Sequence, residues 1–319
     1  MHYRWTLLTL AASLLCVPSA SGLAEFGIEG MGVVSTPANE ARATLSPDGQ
    51  RIVWASDRTG GTGGWDLWQA QLRGGRWQDA QPLPINTAQD ETTPLFSADG
   101  RWLLFASTRP GGAGGSDLYR APVDAQGAVG PVQSLGAAID SAGNERAPTL
   151  SLDGTRLLFA SDGHGGAGGM DLFVAHWDGQ AFTAPVALVD INSAADELDA
   201  AWLGDGRALV WARGKTDDPS QLLLAICKDG HFVQGSPLPL SFNGPQERTF
   251  GAVVDTAKPG ELLVTGSARA PRAGQLDIYR MKAPAADGDA SCRWRWMGAS
   301  VRSRRCYLGI RRRAADRLR

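Results

Sequence analysis

Five glutamates recur at near-constant spacing. They are Glu40, Glu91, Glu145, Glu197 and Glu247, separated by 51, 54, 52 and 50 residues. Basic residues keep step with them. Arg58 lies eighteen positions after Glu40, and the matching positions hold Arg109, Gly163, Lys215 and Arg269. A ring of carboxylates beside a ring of cations has two uses. It can bind a charged or sugar-like ligand at a polar rim, or it can pair internally and order the loops. Exposed pairs of the second kind contribute only about 0–1 kcal/mol each. Two such carboxylates could also run glycoside hydrolysis. A glutamate repeated in every unit suits structure better than an acid and a base with unequal roles.

Other chemistry has weaker support. The glycine loops Gly60–Gly64, Gly111–Gly115 and Gly165–Gly169 do not fit a phosphate cradle, which needs a helix N-terminus where a strand is expected here. They read as hairpin loops with positive φ. Asp66, Asp117, Asp171 and Asp277 are expected to bond to the backbone of those loops. No His pair has metal-ligand spacing, and no G-x-S-x-G elbow occurs. Neither a metal nor a cofactor is expected. The departures from the repeat, His164, Lys215–Asp218 and Glu247-Arg248, are where blade-specific function would sit.

The repeat that carries these residues is about 50 long and filled with strand signals, which indicates a propeller-like array. In the first unit Ala43-Thr44-Leu45 leads into the turn Ser46-Pro47-Asp48-Gly49, where Pro presets φ and Gly permits positive φ. Strands follow at Arg51–Ser56, Asp66–Leu72 and Trp77–Leu83. The large residue of the second strand is Trp54, Phe105, Phe159 and Trp211, then Thr265. That series predicts a core position where one sheet packs on the next. The fifth unit supplies only three strands. The segment Ile28–Ser35 is expected to supply the fourth and latch the ring. The fold predicted is an all-β propeller of five four-stranded blades, with six blades as the alternative.

The motif S-x-D-G, then a strand ending F/W-A-S-D-R, then G-G-x-G-G-x-D-L-W/Y, resembles the TolB-like, WD-repeat-like β-propeller repeat of exported bacterial proteins. The resemblance runs from Asn39 to about Met281. It implies a periplasmic or secreted binding propeller and leaves the ligand open. TolB itself carries a separate N-terminal domain, for which Glu25–Gly32 leaves no room.

The ends differ from the array. Arg4 followed by the apolar run Trp5–Val17 and small residues reads as a signal peptide over residues 1–24, with a membrane anchor and a lipoprotein at Cys16 as alternatives. The propeller is assigned to 25–283 and a basic, disordered tail to 284–319. From Ser291 on there are ten Arg and one Asp, a charge of +9, so the net −2 hides a body of −11. The tail reads as a solvated extension, an anionic-surface contact or an out-of-frame stretch. Cys227 is expected in the core, and a Cys292–Cys306 disulfide is the pairing the tail suggests. The expectation is a monomeric, non-catalytic scaffold that binds an envelope protein or glycan on its loop face. Nucleic acid is not expected as a partner, and the membrane only through the tail. A carbohydrate-active enzyme and a structural partner of an envelope complex are the alternatives.

Overall fold

The computed structural model describes residues 25–214, 219–267 and 271–292. Strand β1 is Glu25–Ile28. Blade 1 holds β2 (Glu40–Leu45), β3 (Arg51–Ser56), β4 (Asp66–Arg73) and β5 (Arg76–Pro82). Blade 2 holds β6 (Glu91–Phe96), β7 (Trp102–Ser107), β8 (Asp117–Pro122) and β9 (Gln133–Ser134). Blade 3 holds β10 (Glu145–Leu150), β11 (Arg156–Ser161), β12 (Asp171–His176) and β13 (Val186–Ala187). Blade 4 holds β14 (Glu197–Leu203), β15 (Ala208–Gly214), β16 (Ser220–Lys228) and β17 (His231–Pro237). Blade 5 takes β18 (Thr249–Val254), β19 (Glu261–Gly266) and β20 (Asp277–Lys282), with β1 as its outer strand.

The first strand of each blade touches the first strand of the next, in the cycle β2, β6, β10, β14, β18 and back to β2. The ring is therefore closed by five blades, and the six-blade alternative is excluded. A four-stranded sheet has two apolar faces and must bury both. Five apolar clusters do so, one at each blade interface. The second-strand residues Trp54, Phe105, Phe159, Trp211 and Thr265 are all completely buried. Trp54 packs with Leu263 and Ile278 of blade 5, and Phe105 with Val53 and Leu67 of blade 1.

The latch lies slightly earlier than the sequence predicts. The pairing strand is Glu25–Ile28, with Ile28 opposite Tyr279, and residues 29–35 turn inward instead of extending the strand. Ser35 then exchanges hydrogen bonds with the Ile278 backbone. Glu29 accepts from Arg280 Nε at 2.6 Å and from Trp77 Nε1. Arg280 also binds Asp255 and Glu261, so one guanidinium joins the latch to blade 5.

The glycine loops work by close approach as much as by φ. Gly60, Gly111 and Gly165 have positive φ. A Cβ on Gly63 would lie 2.1 Å from the Gln89 carbonyl oxygen, and one on Gly274 would lie 2.0 Å from that of Ala38. Each loop presses on the strand-leading backbone of the next blade, and Gly274 does so across the ring closure. The aspartates behave as expected. Asp66 accepts from the Thr62 and Gly63 amides, and Asp277 from those of Ala273 and Gly274.

One position breaks the repeat in an informative way. Asn86, Asn192 and Asn243 each bond to both backbone groups of a third-strand leucine. Blade 2 has Asp140 there, taking the Leu118 amide and the Ser134 hydroxyl. Burial raises the Asp140 pKa, and Asp117 and Glu145 add to the rise. The neutral form is favoured in the fold, so stability is lost as pH rises from the ordinary carboxylate value through the raised one. Asp140→Asn is expected to stabilise by about 1 kcal/mol. The gain should be larger at pH 8 than at pH 4 in paired thermal melts, and an equal gain at both would contradict this account. Asp117, Asp140 and Glu145 approach within 4.8 Å of one another, but backbone amides and hydroxyls supply their contacts.

The C-terminal assignment needs two corrections. Residues 284–292 are not a free tail. They lie on blade 4, where Arg207 reaches the Gly288 carbonyl and Asp289 accepts from the Asp229 amide. Cys292 is bonded to Cys227, not to Cys306. Strand β16 points Cys227 into the cluster at the interface of blades 3 and 4, and Cys292 completes that cluster. Residues 1–24 and 293–319 lie outside the described residues. Removing this cross-link should cost about 2–4 kcal/mol. Melts of the wild type with reductant, and of Cys292→Ser, should then drop by roughly 5–15 °C. An unchanged midpoint in both would contradict a structural role.

Candidate functional site: the channel mouth on the loop face

The glutamate ring is buried. Glu40, Glu91, Glu145 and Glu197 have no exposed surface. Each accepts the amide and hydroxyl of a Ser or Thr four residues earlier. These are Thr36, Thr87, Ser141 and Ser193, at 2.6–2.9 Å. Each carboxylate folds the loop ahead of its own strand. That S/T-x-x-x-E spacing is a sequence signal in its own right. Glu247 differs. Thr249 occupies the first position of β18, opposite Gly266, and it bonds to the Phe242 carbonyl. Glu247 stands two residues ahead, with Ser267 at 3.4 Å. The fifth member of the ring is therefore a threonine.

The cations complete the same motif. Arg58 binds Glu40 at 2.8 Å and the Val33 carbonyl, and its guanidinium lies over Trp54 and Trp68. Arg109 repeats this with Glu91, the Ile85 carbonyl, Phe105 and Tyr119. In blade 3 the position matching Arg58 is Gly163, and the next residue fills the role. His164 bonds the Ile139 carbonyl at 2.7 Å, lies 3.9 Å from Glu145, and packs on Phe159 and Phe173. In blade 4 Arg213 binds Glu197 at 2.9 Å and the Ile191 carbonyl. It stands opposite Glu197 in the ladder, where blades 1, 2 and 3 place Ser. The sequence assigns this place to Lys215, two residues on. Lys215 and Arg269 lie outside the described residues. Burial pushes Glu40 and Glu197 up and Arg58 down. Desolvation thus outweighs attraction on both sides of the Glu40–Arg58 pair.

A different set of residues lines the channel. The inner strands carry bulges, and the third residue of four of them has positive φ, at Arg42, Thr93, Ala147 and Gly251. Bulges re-aim side chains. Neighbouring blades catch the freed amides. Thr265 accepts from Arg42, Thr93 from Ala147, and Asp199 from Gly251 at 2.8 Å. The second and third positions read Ala-Arg, Thr-Thr, Arg-Ala, Leu-Asp and Phe-Gly around the ring. No two blades agree.

These residues surround a cavity of about 270 Å³ on the loop face, with Arg42, Arg146, Asp199 and Arg248 in its wall. Trp65, Met170, Phe250 and Leu276 add an apolar side. Three cations face one carboxylate among the described lining residues. Arg42 is the floor. Its Nη2 crosses from blade 1 to blade 3, donating to the Pro148 carbonyl and to Thr149 Oγ1. Its Nε and Nη1 are buried and have no protein partner. Burial lowers the Arg42 pKa to about 10, with Asp199 acting against the fall. Asp199 is buried too. Oδ2 takes the Gly251 amide while Oδ1 has no partner. Desolvation raises its pKa, opposed first by Arg42.

Solved structures place the architecture among known propellers. What they share with it is the fold. The endo-arabinase of Bacteroides thetaiotaomicron matches with a TM-score of 0.54 at 16% identity, over 82% of this chain and 98% of that one. The catalytic domain of a Coprinopsis cinerea alpha-L-arabinofuranosidase matches with 0.50 at 10% identity, over 82% and 97%. TolB from Acinetobacter baumannii matches with 0.47 at 13% identity, and this chain covers 65% of its length. At these identities the likenesses establish the fold alone. No protein-family model matches the chain, and neither does any curated protein.

Of the residues proposed from sequence, Arg248 stands in the channel wall, as one of the named departures from the repeat. Arg42, Arg146 and Asp199 were missed. The signal was present one and two positions after each strand-leading Glu, where the repeat stops repeating.

Proposed function

We propose that this protein is an exported, non-catalytic binding propeller that takes an envelope protein or glycan at the loop-face channel mouth. The observation that supports this most is the asymmetry of the channel wall, with Arg42, Arg146, Asp199 and Arg248 on four different blades. A scaffold needs symmetry, and a site needs departures from it. Binding residues concentrate on the loop side of rigid frames. Export is supported by the Cys227–Cys292 disulfide, a bond that persists in oxidising compartments. It is also supported by the signal-peptide pattern over residues 1–24.

The enzyme alternative lacks a second carboxylate. Glycosidases flank the scissile bond with two. Among the described residues lining the cavity, Asp199 is the single acid. The repeated glutamates are enclosed by their own loops.

The test is capture of envelope components on the immobilised mature chain, compared with an Arg146→Gln/Arg248→Gln variant of unchanged melting point. The proposal expects a component retained by the wild type and lost by the variant. Equal retention would overturn the channel mouth as the site. Turnover of an envelope glycan that Asp199→Asn abolishes would overturn the non-catalytic reading.

A further inference from the structure

The cavity constrains its occupant in three ways. The first is charge. Among the described lining residues, three guanidinium groups face one carboxylate. Arg42 holds two buried N–H nitrogens without a protein partner, and a buried donor left so costs about 1–3 kcal/mol. Guanidinium nitrogens match the geometry of carboxylate and phosphate groups, and a carboxylate is the smaller of the two. The second is the acceptor beside it. Asp199 Oδ1 is buried without a hydrogen-bond donor, while Arg42 acts on the carboxylate through its charge. A ligand that satisfies both must carry an anion and a hydrogen-bond donor on the same small unit. The third is shape. About 270 Å³ lies below the range of roughly 300–1,000 Å³ that holds drug-sized ligands. It suits a single ring or residue. Trp65 and Phe250 offer flat apolar surface at its side, and Thr92, Ser116 and Asn144 offer small polar groups.

We infer that the channel mouth binds the terminal acidic sugar of a glycan, its carboxylate on Arg42 and its hydroxyls on Asp199, with Trp65 beside the ring. The free ring hydroxyls of such a sugar, close to its carboxylate, meet the acceptor and the small polar groups together. The C-terminal residue of a peptide offers one backbone N–H beside its carboxylate, where the sugar offers several hydroxyls. Arg42 also reaches across from blade 1 to blade 3, so the end of a chain fits better than a chain passing through. This inference rests on the loop-face reading and names its ligand class.

The experiment is a calorimetric titration of the mature chain with three probes. They are a glucuronic-acid-terminated disaccharide, the matching glucose-terminated disaccharide, and an acidic peptide with a free C-terminus. The glucuronate probe should bind at least tenfold more tightly than the glucose probe. Arg146→Gln and Asp199→Asn should each weaken it about tenfold or more, with melting points close to wild type. Arg42→Lys adds a third variant that keeps the charge in the floor. Equal binding of the two sugars, no binding of either, or tighter binding of the peptide would each overturn the inference. If the sugars fail while envelope capture still depends on Arg146 and Arg248, the ligand class is wrong and the site stands. If capture ignores those residues, the site itself is wrong.

Discussion

A chain lacking residues 25–35 is expected to lose the closed ring, with a melting point at least 15 °C lower or no soluble product. The segment is short, but four supports leave together. The β1 ladder on β20 goes, and with it the fourth strand of blade 5. Val34 is completely buried at the interface of blades 5 and 1, a loss of about 1.5–3 kcal/mol. Arg58 loses the Val33 and Val34 carbonyls, and Arg280 loses Glu29. With hydrogen bonds at about 1 kcal/mol each, the total is on the order of 5 kcal/mol. That is a large part of the 5–15 kcal/mol that typical domains possess. Circular dichroism melts of the truncated and intact mature chains check this. A truncated chain melting within a few degrees of the intact one would show that the ring closes without its latch.

Glu91→Ala is expected to be nearly as damaging although it touches no apolar core. The carboxylate is fully buried, and it answers the Thr87 amide, the Thr87 and Ser107 hydroxyls and Arg109. Removing it leaves four donors, one of them a cation that is only 14% exposed. Breaking a buried pair this way costs about 3–5 kcal/mol. For a domain of this size that is a fall on the order of 10 °C. Glu91→Gln keeps part of the hydrogen bonding and should lose less. Denaturant titrations of both variants give the comparison. Destabilisation of both below 1 kcal/mol would mean that the carboxylate is not what orders the loop.

The fold was legible in the sequence because its signals are local and repeated five times. Turn residues such as Pro47 and Gly49 have chemistry that acts within four positions. Trp54, Phe105, Phe159 and Trp211 mark the same packed position in four sheets. The latch was legible by alignment, since Ser35 does in blade 5 what Asn86 does in blade 1. Its strand fell earlier because residues 29–35 have to turn inward to reach that bond. The disulfide was not legible. Cys227 and Cys292 are 65 residues apart, and spacing carries no information about which cysteine a docked segment will meet.

The candidate site divides in the same way. Periodicity singled out Glu40, Glu91, Glu145 and Glu197, and those residues serve the scaffold. Counting eighteen positions from Glu197 led to Lys215, whereas Arg213 makes the bond because a strand register shifts a residue's role without shifting its number. Arg42 and Asp199 look like noise in an alignment of the repeats. Only the ring brings blades 1 and 4 to one axis, and only the bulges turn those side chains into it. A repeat alignment averages away the positions at which a site can exist.

On the proposed reading, function lies with the unrepeated channel residues and stability with the repeated glutamates. The direct test measures capture of the envelope component and melting point side by side for Arg146→Gln and Glu91→Gln. The account predicts that Arg146→Gln loses at least tenfold in affinity while melting within about 2 °C of wild type, and that Glu91→Gln melts lower with affinity unchanged within twofold. The reverse pattern, with affinity lost at Glu91 and retained at Arg146, would contradict it.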